Sequence, residues 1–270
     1  MGYLNLGLVT AAVLATAALA SHDVAAQEAP DPIEVDLEMV LAVDVSGSVS
    51  PQRFQLQRDG WANAFRTASV QDAINDGTRG QIAATLVYWS SSRRQVNAVD
   101  WRLIDDGSGG LTASQFGDLI ADADRPFRGG TGVGPALEYS INEIQTNNFD
   151  GDRQVIDISG DGTNNIGVFP TTPRDEAEQL GITINGLAIE EATRRNLTEW
   201  YADNVITSDG FAVTAATFAD IEGAALDKLE REIRIDPIDT DPIDVPVPGT
   251  AILFLAGLIG LAGVRRRFRA

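Results

Sequence analysis

The run Met39-Val40-Leu41-Ala42-Val43-Asp44-Val45-Ser46-Gly47-Ser48-Val49-Ser50-Pro51 decides how the rest of the chain is read. Its first five residues are uninterruptedly apolar, the mark of a strand buried on both faces of a sheet. The apolar run then stops at a carboxylate and two hydroxyls on alternate positions, Asp44, Ser46 and Ser48. Ser50 followed by Pro51 is the punctuation of a helix start, a side-chain oxygen at the N-cap and proline at the first helical position. Open α/β sheets place their ligand sites outside the carboxyl ends of strands, where such a loop sits. Oxygens on a tight loop can converge on one point, and a hard divalent cation takes ligands of that kind.

Working outward, short apolar runs alternate with helical patterns. Strands are expected over residues 37–43, 82–90, 153–159, 182–188 and 211–214. A further strand at 95–103 alternates apolar and polar and pairs antiparallel with its predecessor through a turn at 90–94. Helices are expected over 51–68, 113–123, 135–146, 174–180, 194–204 and 218–233, with Thr112 and Thr217 as further N-caps. Gly60 inside the first helix costs about 1 kcal/mol relative to alanine without displacing it. The order predicts an α/β domain: a doubly wound, mostly parallel central sheet with one antiparallel edge strand and helices on both faces. No repeat of solenoid or propeller length is present.

Two further segments carry oxygen donors to strand ends or helix starts. Residues 127–134 read Phe-Arg-Gly-Gly-Thr-Gly-Val-Gly, with one hydroxyl, that of Thr131. The strand Val155-Ile156-Asp157-Ile158-Ser159 gives way to Gly160-Asp161-Gly162-Thr163-Asn164, which sets Asp161 at a glycine-containing turn. Together the three segments resemble the metal-ion-dependent adhesion site of von Willebrand factor A domains, and the resemblance runs over about residues 36–233. It assigns five places to Asp44, Ser46, Ser48, Thr131 and Asp161. It implies a divalent cation, Mg2+ first with Mn2+ or Ca2+ as alternatives, and a partner protein whose Asp or Glu carboxylate completes the coordination. The run from Ile158 to Asn165 also resembles a bacterial von Willebrand factor A-like family without an assigned function.

Composition narrows the function classes. The chain has 39 Asp plus Glu against 20 Lys plus Arg, a formal net charge of −19. Nucleic acid is not an expected partner, since binding it relies on clustered cationic groups that displace counterions from phosphates. There is no Cys, and the one His, His22, lies near the N-terminus. A disulfide framework, a Cys or His nucleophilic system and the usual zinc ligands are excluded together, so a metal must be held by oxygen. No catalytic residue is assigned, and a binding module rather than an enzyme is expected. A metal-assisted phosphoester hydrolase and an envelope structural protein whose ion only braces loops stay open as alternatives.

Several features imitate other sites. Glycines 130, 132 and 134 suggest a phosphate cradle, but the lysine of that motif is missing. Asp157-Ile158-Ser159-Gly160-Asp161-Gly162 starts like a calcium-binding EF-hand loop, yet its twelfth position is Val168, which offers no carboxylate. Asp157 is expected to be a buried, hydrogen-bonded carboxylate on a central strand. Trp61, Trp89, Trp101 and Trp200 are expected in the core, and Phe127 and Phe169 at the rim of a partner-binding surface.

The chain ends read as targeting segments. Residues 4–20 are almost wholly apolar and precede two small-residue cleavage sites, Ala18-Leu19-Ala20 and Val24-Ala25-Ala26, so residues 1–26 read as a secretory signal. No Lys or Arg precedes the apolar run, which leaves a membrane anchor as the alternative. Residues 27–35 and 235–248 read as proline-containing acidic linkers on either side of a domain at 36–234. Residues 249–270 hold a second apolar run that ends in Arg265, Arg266, Arg267 and Arg269. As a helix, residues 250–264 span roughly 22 Å, against about 30 Å of hydrocarbon. With Val245-Pro246-Val247-Pro248 ahead of it, this end resembles PEP-CTERM sorting signals of the VPLPA variety in Gram-negative bacteria. That resemblance implies membrane contact, an exosortase-like enzyme as a partner, and a periplasmic or cell-surface location. An ordinary tail anchor is the alternative.

Overall fold

The structure is a computed structural model, described for residues 31–190 and 196–234. The expected signal segment, the C-terminal linker and sorting segment, and the start of the helix expected from residue 194 lie outside these. Along the chain the strands are β1 (Ile33–Val35), β2 (Leu37–Asp44), β3 (Ile82–Trp89), β4 (Gln95–Ile104), β5 (Phe149–Gly151), β6 (Gln154–Gly160), β7 (Ile182–Ile189) and β8 (Ala212–Ala215). The helices are α1 (Pro51–Phe65), α2 (Ala68–Asn75), α3 (Ala113–Asp122), α4 (Val133–Thr146), α5 (Thr171–Leu180), α6 (Leu197–Asn204) and α7 (Ile221–Arg234).

Six strands form the main sheet in the order β4-β3-β2-β6-β7-β8, and every pair is parallel except β3 with β4. The register of that antiparallel pair slips on either side of Leu86. Both faces of the sheet are covered, which is why β2 and β3 read as continuous apolar runs and are buried at every position. Leu37, Met39, Leu41 and Val43 pack with α1, α2, α3 and α7, while Val40 and Ala42 face α4, α5 and α6. The doubly wound α/β class with one antiparallel edge strand is the observed fold.

The linker expected at 27–35 is corrected at its end. Ile33–Val35 is a strand paired in parallel with β5 in a separate two-stranded ribbon. The anchor is Glu38, a buried carboxylate on β2 that accepts from Gly151 N at 2.8 Å, Asn147 Nδ2 at 2.6 Å and Gln154 Nε2 at 3.1 Å. Holding β5 beside the start of β2 gives the preceding residues a ladder, and Pro32, just before the strand, removes no ladder donor.

The single helix expected over 51–68 is two. Thr67 is extended, its hydroxyl donates to Ala64 O at 2.8 Å, and α2 begins after it. The competition between a threonine hydroxyl and the helical ladder explains the break. Gly60 also finds its reason here. A Cβ at that position would stand 3.0 Å from Ile221 Cγ2 and 3.1 Å from Glu222 N, so glycine lets α1 and α7 approach closely. Trp61 and Trp89 are fully buried as expected, whereas Trp101 and Trp200 pack only partly against the core. Among the described residues no helix is long and apolar enough to cross a membrane.

Asp157 is buried on β6, and Lys228 of α7 reaches it at 2.8 Å. The same ammonium contacts Glu232, which accepts from Asn185 Nδ2 at 2.7 Å. Burial pushes the Asp157 carboxyl well above its usual range; Lys228 pulls it back and Glu232 pushes it further up. This ion cluster pins the last helix to the middle of the sheet, and Asp157 is the buried carboxylate expected on a central strand. Removing the Lys228 ammonium should strand two buried acids. Lys228→Met is expected to lower stability in urea unfolding by about 3–5 kcal/mol. Adding Asp157→Asn and Glu232→Gln should recover most of that loss. Unchanged unfolding midpoints for Lys228→Met would refute this account.

Candidate metal centre

The parallel register of β2 with β6 sets Val43 opposite Ser159, so Asp44 and Asp161 leave neighbouring strands at the same edge of the sheet. Each is held locally. Ser46 N donates to Asp44 Oδ1 at 2.6 Å, closing a tight turn, and the buried Gln57 of α1 donates to Asp44 O at 2.8 Å. Ser46 Oγ and Ser48 Oγ lie 3.1 Å apart, and Ser48 Oγ donates to Asp161 Oδ1 at 2.5 Å. The first and third loops therefore meet through their donor side chains.

The Gly-rich segment joins them through backbone. Gly47 N donates to Gly129 O at 2.8 Å and Gly132 N to Ser90 O at 2.7 Å. Thr131 is buried and clasped on both sides by Asn165, whose Oδ1 accepts from Thr131 N at 2.9 Å and whose N donates to Thr131 O at 2.8 Å. Asn164 Oδ1 accepts from Gly134 N at 3.2 Å. A Cβ at Gly134 would fall 2.1 Å from Val168 O. That close approach, and not a phosphate cradle, accounts for the glycine there. All five residues expected at the site thus lie on three mutually fastened loops: Asp44, Ser46 and Ser48 on the first, Thr131 on the second and Asp161 on the third.

Electrostatics makes this an oxygen-rich, proton-hungry corner. Asp44 is fully buried and its Oδ2 has no hydrogen-bond partner. Burial, and then the charge of Asp161, push the Asp44 carboxyl up to about 7. Two buried carboxylates facing hydroxyls, with one carboxylate oxygen orphaned, fit a hard divalent cation, which would satisfy the orphan and relieve the repulsion. Among the described residues no group of three or more His, Cys, Asp or Glu is arranged to hold a metal, so the candidate rests on two carboxylates and hydroxyls.

Residues outside the expected set shape the loop. Arg125 Nη2 donates to Val45 O and Ser46 O, both at 2.6 Å, and its Nη1 to Val49 O at 2.8 Å. Arg128 Nη2 donates to Gly47 O at 2.9 Å and Arg53 Nη1 to Ser48 O at 3.1 Å. Every carbonyl from Val45 to Val49 is thereby claimed by a guanidinium. No spacing rule in the sequence signals such contacts; the only hint was several arginines near glycine-rich turns in an acidic chain. The expected rim is half corrected. Phe127 is partly buried and packs against the core, while Phe169 is 48% exposed and meets Trp200 edge-on at 6.4 Å.

Comparison with solved structures agrees with the fold. Proximal thread matrix protein 1 from the mussel byssus, in a form described as having a zinc-occupied MIDAS motif, aligns with a TM-score of 0.55 at 15% identity, over 74% of this chain and 48% of that one. The pilus adhesin SpaC from Lactobacillus rhamnosus GG aligns with a TM-score of 0.52 at 15% identity, over 77% of this chain and 31% of that one. The chain thus spans about half the length of the mussel protein and less of the adhesin. At this identity the likeness is one of fold. Among curated proteins no sequence match was found. A family model does match, across residues 34–237, and covers most of the chain: the chain belongs to the family described as a protein of unknown function, DUF1194.

Proposed function

We propose that this chain is an exported binding module, not a catalyst. In this reading Asp44, Ser46, Ser48, Thr131 and Asp161 hold a divalent cation, and a partner protein completes its coordination with an Asp or Glu carboxylate. The observation that carries the reading is the buried Asp44 Oδ2, which has no hydrogen-bond partner beside hydroxyl donors and a second aspartate. When bound, the cation supplies a Lewis-acidic centre that a partner's carboxylate can reach. The two carboxylates balance the formal charge of the cation and the hydroxyls, being neutral, add none, so a further anionic ligand meets no excess negative charge in the donor set. An all-oxygen set favours Mg2+, with Mn2+ and Ca2+ as alternatives. The zinc-occupied motif of the mussel protein and the adhesin role of the pilus protein support the reading by analogy of fold. Residues 1–26 then serve as the export signal. Residues 249–270 are the sorting or anchor segment that keeps the module at the envelope of a Gram-negative cell, through an exosortase-like enzyme.

Isothermal titration of the purified domain should show Mg2+, Mn2+ or Ca2+ binding with one site, and Asp44→Ala should weaken it at least tenfold. Partners captured from an envelope extract should be released by EDTA. Capture that is indifferent to EDTA would favour an ion that only braces loops, and metal-dependent turnover of phosphoesters lost in Asp161→Ala would favour the hydrolase.

Proton competition gives a second check. In the folded, metal-free protein Asp44 keeps its proton up to about pH 7, whereas an unfolded Asp releases it near pH 4. Between those values the native state binds the extra proton, so this group's contribution to metal-free stability falls as pH rises through the window. The cation must displace that proton, so affinity should climb by up to about tenfold per pH unit below pH 7 and level off above it. Calorimetry in buffers of different ionisation enthalpy should detect close to one proton released at about pH 6. A flat affinity across this range would contradict a buried, protonated Asp44.

A further inference from the structure

The loops around the candidate centre reverse the charge of the molecule. The chain carries a formal charge of −19, yet segments 44–50, 90–94, 124–132 and 161–170 together with the first turn of α1 hold Arg53, Arg93, Arg94, Arg125 and Arg128 against only Asp44, Asp124 and Asp161. Three of these arginines lie directly behind the donor loop, capping its carbonyls from Val45 to Val49. Arg125 and Arg53 are also braced over the rings of Phe54 and Phe218, at 5.7 and 5.2 Å. Arg94 Nη1 donates to Arg128 O at 2.8 Å, which ties the β3–β4 turn to the same rim. Arg93, Arg94 and Arg128 are exposed.

Next to the Gly-rich segment the surface is apolar: a Cβ at Gly130 would stand 3.1 Å from Ile166 Cγ2. Ile166 and Phe169, on the loop that also carries Asp161, are 42% and 48% exposed, and Phe169 leans on Trp200. A site with two carboxylates, a divalent cation and three guanidiniums on its loop carbonyls is net cationic once loaded. A single partner carboxylate on the cation would leave that excess positive charge uncompensated.

We propose that the arginine collar selects an acidic segment of a partner protein, in which one carboxylate meets the cation, a second meets Arg128 or Arg93, and an apolar side chain between them rests on Phe169 and Ile166. This rests on the cation-binding reading above and names the partner chemistry that reading leaves open. Planar guanidiniums bind carboxylates with two parallel hydrogen bonds, and exposed charges of one sign speed association in a salt-dependent way.

The test uses the full domain with Mn2+ and two synthetic peptides, acetyl-Gly-Asp-Leu-Asp-Gly-amide and its counterpart with Asn for the second Asp, with affinities measured by fluorescence anisotropy. The two-carboxylate peptide is expected to bind on the order of tenfold more tightly, and its advantage to shrink severalfold between about 50 and 300 mM salt. Arg93→Glu, at an exposed position away from the donor loop, is expected to remove most of the advantage while leaving Mn2+ affinity and thermal midpoint unchanged. Arg128→Gln should reduce it further. Equal affinity for the two peptides, no effect of Arg93→Glu, or no binding of either peptide while calorimetry still shows Mn2+ bound would each overturn the collar. Failure of the cation reading is separable: peptide preference would then survive EDTA unchanged.

Discussion

Parallel pairing of β2 with β6 is the constraint on which the rest depends. With Val43 opposite Ser159, two strands distant in sequence end together, and the chain must turn away from both at the same edge. A slip of one residue would send Asp44 to the opposite face and exchange the side chains committed to the two cores. The register is secured far from the site, by apolar alternation toward two separate cores and by Glu38 fastening the ribbon at the other end of β2. Burial energy in the middle of the sheet thus holds two aspartates close together, and burial together with the charge of Asp161 pushes the Asp44 carboxyl up to about 7.

Much of this was legible because the relevant signals are local. A continuous apolar run ending in Asp44-Val45-Ser46-Gly47-Ser48, then Ser50-Pro51, announces a strand, a turn and a helix within a short window, and Ser50 Oγ does accept from Arg53 N. Asp161 and Thr131 could be placed at the same edge because strand ends and helix starts share a direction in a parallel sheet. What stayed hidden depends on partners far apart in sequence. Arginines that cap carbonyls some 80 positions away leave no periodicity, and neither does a three-residue strand such as β1, whose ladder is supplied by residues 149–151. The division of α1 from α2 turned on one threonine hydroxyl. Phe127 looked exposed because loops usually are, yet it folds back onto the core.

The two buried charge clusters serve different ends. Lys228 with Asp157 and Glu232 sits deep between α7 and the sheet, compensated within the protein and shielded from solvent. Asp44 and Asp161 are flanked by guanidiniums: Arg53 forms an ion pair with Asp161 at 3.9 Å, and Arg125 and Arg128 engage the loop carbonyls beside Asp44.

The borders of the main sheet matter for any chain held at high local concentration. One border is β8, only four residues long, and the other is β4, whose pairing with β3 is interrupted near Leu86. Neither gives a neighbouring copy a long, straight row of free amide and carbonyl groups to add to. Packed side by side at high density, such molecules are protected from stacking into fibres through their sheets, and contact between them is left to the loops.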